Sequence, residues 1–220
     1  VRALSGGLGV TRALVFDYDG LIVDSETPEY ECWKKVFSDH GQDLAVKDWV
    51  HVVGGAVIVD MRLELERRLG RRVAWEAVDK ARIEHYHSIF SRQPLLPGVQ
   101  GLFDEGRRRG WRIGVASNSS MGWVRPGLER FGLWPYVGAI RSRDTAARPK
   151  PHPEPYLEVL AELGADAAPS FAFEDSATGI AAAKAAGLTA VCVPNALTRH
   201  HDLSQADRLL ESLEHFILPD

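Results

Sequence analysis

The feature of this chain that most constrains its fold is a series of short, unbroken apolar runs, each ending in polar residues. Ala13-Leu14-Val15-Phe16 stops at Asp17, and similar runs cover Arg112 to Ala116, Ser170 to Phe173 and Thr189 to Val193, with a shorter one near Val137 to Ile140. Apolar runs of this length without alternation suit strands covered on both faces, as in a parallel sheet. Helical patterns at Trp123 to Phe131, Pro153 to Leu163 and Ala177 to Ala186 separate the later runs. Strand and helix in alternation predict an α/β fold with a doubly wound, mainly parallel core. In such sheets ligands bind beyond the carboxyl ends of the strands, which is where the polar residues fall.

The interval between the first and second strands has another character. Thr27 can cap a helix that opens on Pro28, and Tyr30, Trp33 and Phe37 then share one face. Helical patterns continue from Val57 to Leu69 and from Ala74 to Phe90, with stops at Gly70 and at Pro94 to Gly98. Residues 25–93 therefore read as an all-helical cap domain inserted into a core of residues 10–24 and 94–220. Candidate hinges lie at Asp24 to Glu26 and Pro94 to Gly98. Trp33, Trp49 and Trp75 are expected to form the core of this insertion.

Composition narrows the partners. Lys and Arg number 26 against 30 Asp and Glu, for a net charge of −4, so neither nucleic acid nor an anionic membrane is expected. Arg107-Arg108-Arg109 reads as a solvated helix end. The two cysteines, Cys32 and Cys192, are far apart, which argues against a disulfide framework and fits a reducing compartment. Val1 to Thr11 reads as a frayed leader, not a signal peptide, and no segment has the length to span a bilayer. A cytoplasmic protein is the expectation. His85 and His87 are two apart on a predicted helix and do not face one ligand; His200-His201 fall in a loop.

Four constellations carry chemistry. In Asp17-Tyr18-Asp19-Gly20 the two acids lie two apart, so an extended backbone turns both to one side. Such close carboxylates repel unless a cation or a shared proton intervenes, which makes an ionised nucleophile and a protonated acid available. Ser117-Asn118 follows the second strand and can offer a hydroxyl and backbone N–H groups to a phosphate oxygen. Lys150, within Arg148-Pro149-Lys150-Pro151-His152-Pro153, is a point charge on a stiff loop. Glu174-Asp175 closes the Phe171-Ala172-Phe173 run and offers the oxygen ligands that suit Mg²⁺. Ser176 can cap the helix that follows.

In their order these residues resemble the haloacid dehalogenase superfamily. Val15 through Glu26 is similar to its first motif, Ser117-Asn118 to its second, Lys150 to its third, and Phe173-Glu174-Asp175-Ser176 with Gly179 to its fourth. The likeness runs from Leu14 to about Pro194. It is greatest to the branch holding β-phosphoglucomutase and small sugar-phosphate phosphatases. The resemblance implies a Rossmann-like core with a helical cap and a covalent two-step reaction. Asp17 would attack phosphorus, and Asp19 would protonate the leaving oxygen and later activate water. Mg²⁺ would bind the Asp17 carboxylate, the Asp19 backbone carbonyl and Asp175, with Glu174 in or beside the shell. Ser117, Asn118 and Lys150 would hold the phosphoryl group. The expected partner is a small phosphorylated metabolite.

A phosphatase is expected over a phosphomutase. The family's mutases use a histidine soon after the first motif, where this chain has Glu29 or a neighbour, and cations flanking a cap glycine. Around Gly54-Gly55 this chain has Val52, Val53, Ala56 and Val57, which should hold a second phosphate poorly. The alternative from another class is a receiver-like signalling module. The helical insertion and the acidic pair placed after the lysine count against it.

Overall fold

The computed structural model describes residues 10–50 and 60–220. The expectations for the leader up to residue 9, for Gly54-Gly55 with Val52, Val53, Ala56 and Val57, and for a helix starting at Val57 lie outside the described residues.

Six parallel strands form one sheet in the order β3-β2-β1-β4-β5-β6: β1 (Ala13–Phe16), β2 (Arg112–Ala116), β3 (Ala139–Arg141), β4 (Phe171–Glu174), β5 (Thr189–Cys192) and β6 (Arg208–Leu209). The chain runs outward from β1 to β3 and then returns to β4 on the other side of β1. β1 therefore sits between β2 and β4, in register Leu14 to Phe171 and Phe16 to Phe173. That reversal opens a crevice beyond the carboxyl end of β1, the switch point of a doubly wound sheet.

The two faces of the sheet are packed differently. Leu14 and Phe16 point into an aromatic layer with Phe103, Phe173 and Phe216, covered by α5 (Val99–Arg108) and α6 (Met121–Arg130). The neighbouring residues Ala13 and Val15 point the other way, into a layer rich in alanine: Ala116, Ala139, Ala172 and Ala190. Small side chains there let α7 (Glu154–Leu163) and α8 (Ala177–Ala185) lie close on the sheet. Gly114 shows how close, since a Cβ on it would strike Val159.

Between β1 and α5 the described residues form α1 (Glu26–Asp39), the single turn α2 (Val46–Trp49), α3 (Met61–Leu69) and α4 (Trp75–Phe90). They share a separate apolar cluster of Tyr30, Trp33, Phe37, Trp49, Met61 and Leu65, with Trp75 packed against it. The two connections to the sheet run side by side: Val23 bridges Leu95, and Leu96 N–H donates to the Ile22 carbonyl at 3.0 Å. No helix among the described residues is long and apolar enough to cross a membrane.

Several boundaries differ from the sequence expectation, each for a local reason. α1 opens at Glu26 because Asp24 Oδ1 accepts the Thr27 N–H at 2.9 Å; the cap oxygen comes from Asp24, and Thr27 lies inside the first turn. Ser170 precedes β4, its hydroxyl accepting from Ala13 N–H at 2.8 Å, whereas Glu174 joins the strand opposite Cys192. β6 has two exposed residues and no apolar run to announce it. Arg107 and Arg108 do end a helix, but Arg109 turns back to the carbonyls of Leu218 and Pro219.

Phe173 sits among Phe16, Phe171 and Phe216, with ring centroids 4.8, 6.4 and 4.9 Å away. Phe173→Ala is expected to cost about 3–5 kcal/mol in urea denaturation. Ala172→Leu, on the tight face, is expected to cost about 1–3 kcal/mol through overpacking. A loss below about 1 kcal/mol in both would contradict this layering.

Candidate active site

The strand order makes neighbours of acids that are far apart in sequence. Asp17 continues β1, its N–H donating to the Phe173 carbonyl at 2.9 Å, so its side chain emerges beside Glu174 at the end of β4. The chain then leaves the strand through Gly20 at φ +74°. A Cβ at Gly20 would strike the Asp175 carboxylate and the Asn195 amide, so this turn needs glycine for space as well as for backbone sign. Asp17 and Asp19 both line a cleft of about 490 Å³, while Tyr18 is fully buried beneath α6.

Lys150 comes from the loop between β3 and α7. Its ammonium is buried and donates to Asp17 Oδ1 at 2.8 Å and to Glu174 Oε1 at 2.6 Å. Asn118 fixes that loop by bonding the Lys150 backbone twice, accepting from its N–H at 2.9 Å and donating to its carbonyl at 3.0 Å. The Asn118 side chain is thus engaged with the lysine loop. Ser117 is buried, and its oxygen accepts the Ser119 N–H at 3.0 Å, which leaves its own O–H for another acceptor. Glu174 is fully buried; Tyr156 O–H donates to the oxygen that Lys150 also holds. It fits beneath α8 only because Gly179 has no side chain, since a Cβ there would overlap the Glu174 carboxylate.

Asp19 is held differently. Oδ1 accepts from Ser25 O–H at 2.7 Å and from the Trp123 indole N–H at 2.9 Å, and Oδ2 accepts from Ser119 O–H at 2.6 Å. Its carboxylate is therefore directed toward α6, apart from the acidic cluster. Asp175 accepts from the Asn195 amide at 2.8 Å.

Asp17, Glu174 and Asp175 each offer an oxygen, all within 4.8 Å of one another. Crowding carboxylates out of water is costly and disfavours their charged forms. Burial pushes Asp17 up; Lys150 opposes the rise, Glu174 and Asp19 add to it, and the result is about 7. Asp175 is also held well above the usual carboxylate range, by burial first and then by Asp17 and Glu174. Burial alone would lower the Lys150 ammonium, but Asp17 and Glu174 more than offset it and hold it charged. Three carboxylates against one ammonium leave a negative surplus, and buried hard oxygen donors are what a divalent cation offsets. The donor set fits such a cation.

The opposite wall of the cleft comes from the helical segment: Glu26, Glu29 and Tyr86. Glu29 accepts from Trp33 Nε1 at 3.0 Å and Arg82 at 2.7 Å. Burial, with Asp19 and Asp17 close by, pushes Glu26 up to about 8. Cys32 lies in a separate apolar groove between α1 and α4, its thiol pushed up to about 11 by burial.

The structure thus brings Asp17, Asp19, Ser117, Asn118, Lys150 and Asp175 to one cleft, with Glu174 directly beneath it. Sequence reasoning missed Ser25, Ser119 and Trp123, the donors to Asp19, and Asn195 and Tyr156, which hold Asp175 and Glu174. Two signals were available: Ser119 extends the Ser117-Asn118 run, and Asn195 follows a strand end. Trp123 carried only a helix pattern.

Known proteins bear on this arrangement. The sequence profile of haloacid dehalogenase-like hydrolases matches residues 11–187. The chain is 36% identical to YhcW of Bacillus subtilis (strain 168), whose name assigns it provisionally to the phosphatases, over 92% of each chain. It is 30% identical to hexitol phosphatase B of Escherichia coli (strain K12) over 83% of each. Among solved structures it is similar to CbbY from Rhodobacter sphaeroides in complex with phosphate, with a TM-score of 0.71 at 26% identity, covering 94% of this chain and 96% of that one. With the profile matched over most of its length and named phosphatases at this level of identity, the chain belongs to the haloacid dehalogenase-like hydrolases, as a phosphatase.

Proposed function

We propose that this phosphatase hydrolyses a small phosphorylated metabolite, a sugar phosphate or similar monoester, through an aspartyl-phosphate on Asp17, with Mg²⁺ as cofactor. The observation that carries the reading is the Lys150 ammonium seated between Asp17 and Glu174, with Asp175 in the same cluster. Residues 10–24 and 94–220 would be the core domain, and residues 25–93 the helical cap.

The Asp17 carboxylate attacks phosphorus as the bond to the leaving oxygen breaks, and Asp19 gives that oxygen its proton. Water then attacks the phosphorus, Asp19 takes up its proton, and the bond to Asp17 breaks to release phosphate. Ser117 O–H and Lys150 hold the phosphoryl oxygens, and Asn118 fixes the lysine loop from which Lys150 reaches them. Ser25, Ser119 and Trp123 keep Asp19 aimed at the leaving group. Asp17, Asp175 and the Asp19 backbone carbonyl would hold Mg²⁺, with Glu174 beside them, and the ion would offset the charge of a phosphate dianion among carboxylates. Such positioning and charge compensation are the main levers for phosphoryl transfer. Closure of the cap would exclude bulk water during the reaction.

The far wall favours hydrolysis over mutase chemistry. Among the described residues, α1 and α4 contribute two carboxylates and a phenol to the cleft, a poor cradle for a second phosphate. A receiver-like role is set aside by the family and by the named phosphatases.

Asp17→Asn is expected to keep the wild-type melting temperature within a few degrees, yet to lose at least about a thousandfold in phosphate release across a phosphometabolite panel. Substantial residual turnover would remove Asp17 from the nucleophile's role. In the metal-free protein, the folded carboxyls of Asp17 and Glu26 titrate above their unfolded values. The native state then binds more protons than the unfolded one, so stability falls as pH rises from about 4 toward 7 or 8. Protons and cation compete for Asp17. Added Mg²⁺ should therefore raise the melting temperature more at pH 8 than at pH 5.5, as differential scanning fluorimetry would show. A larger rise at pH 5.5 would contradict the proposed cation site.

A further inference from the structure

The segment after β5 does two things at once. Asn195 donates its amide N–H to Asp175 Oδ2 at 2.8 Å. The orientation of that amide is fixed, because its oxygen accepts the N–H groups of Leu197 and Thr198, both at 2.9 Å. Thr198 is fully buried and returns the contact, its hydroxyl accepting Asn195 N–H at 3.0 Å. Asn195 is thus a wedge with no rotational freedom, pressed from the other side by the bare backbone of Gly20.

The same turn also carries the seat of the helical segment. Leu197, though it comes from the core side of the chain, is buried in the cluster of Tyr30, Trp33, Phe37, Trp49 and Leu65. Four residues on, His201 Nε2 lies 2.7 Å from the carbonyl of Val50, at the end of α2. One rigid turn therefore touches an acid of the candidate cation site at one end and the core of the insertion at the other. No other described residue beyond β5 enters that apolar cluster.

We infer that Asn195 is a positioning residue for Asp175 and that the turn from Asn195 to His201 couples cation binding to the seating of the helical insertion. The inference rests on the cation reading proposed above. A carboxylate repelled by Asp17 and Glu174 needs a fixed donor to stay aimed at a shared ion. An ion that pulls on Asp175 then pulls on the turn in which Leu197 is embedded. Such outer partners commonly matter by about 10–100-fold in metal affinity.

The test is Mg²⁺ titration calorimetry of the substrate-free protein, together with hydrogen exchange of α1 amides with and without Mg²⁺. Wild type should bind Mg²⁺ and gain protection in α1. Asn195→Ala should bind about 10–100-fold more weakly. Leu197→Ala should bind within about twofold of wild type, since it leaves Asp175 and its donor in place, but should show no Mg²⁺-dependent protection in α1. If Asn195→Ala does not fold, Thr198→Val, which frees the Asn195 N–H but keeps the amide, should weaken binding several-fold. Unchanged affinity in the folded Asn195 or Thr198 variant, or protection retained in Leu197→Ala, overturns the inference and leaves the cation reading standing. No Mg²⁺ binding by wild type overturns both.

Discussion

The buried ammonium of Lys150 between Asp17 and Glu174 is the contact on which the rest of the site depends. Removing charges from water is expensive, and a buried pair is tolerated only when every remaining polar atom is satisfied. Here the strand order brings two acids together because β1 and β4 are adjacent and in register. The lysine reaches them from the β3–α7 loop, which Asn118 holds by both its backbone groups. Tyr156 and Ser176 occupy further positions on Glu174. Loss of Lys150 would leave two buried carboxylates facing each other. The surrounding hydrogen bonds would then be working against repulsion, not with attraction.

The two unlike faces of the sheet serve this contact. The aromatic layer with Phe16, Phe103, Phe173 and Phe216 supplies most of the large apolar burial and anchors the strands whose ends carry Asp17 and Glu174. The alanine-rich layer supplies closeness. α8 approaches β4 so nearly that Gly179 lies against the Glu174 carboxylate, and α7 brings the Tyr156 hydroxyl to the same acid. A bulkier face would have lifted both helices and left Glu174 in a void, with its charge unpartnered. The fold's asymmetry is thus an electrostatic requirement as much as a packing one.

Legibility followed the physics of each element. β1 and β2 were readable to the residue, because central strands of a parallel sheet must be apolar on both faces. The acids at the ends of β1 and β4 were readable because the doubly wound topology fixes where polar strand ends go. β6 was not, being an exposed edge of two residues with no burial to pattern it. The cap of α1 was misread because Thr27 and Asp24 both carry a side-chain oxygen able to accept a backbone N–H at the cap, and only the turn geometry selects between them. Trp123 was invisible for a further reason. Its role is a long-range hydrogen bond, and nothing in local spacing says that it will meet Asp19, 104 residues away.

The cleft also has a sense of direction. Its floor holds the lysine and the Ser117 hydroxyl, while Glu26, Glu29, Tyr86 and Trp123 stand around its wall. On the proposed reading, a phosphoryl group would be drawn to the floor once a cation offsets the surplus of Asp17, Glu174 and Asp175 there, with Lys150 and Ser117 to hold its oxygens. A leaving group rich in hydroxyls would gain at the wall. It can donate to Glu29, whose position Trp33 and Arg82 already fix, and lay its carbon skeleton against the aromatic rings. On the proposed reading, this gradient from floor to wall would orient a phosphate monoester in the cleft. The cluster that sets this gradient is the one that opposes a dianion's arrival, so on the proposed reading compensation of its negative surplus must precede productive binding. The same acids that would perform the chemistry then also decide when the site is open to substrate.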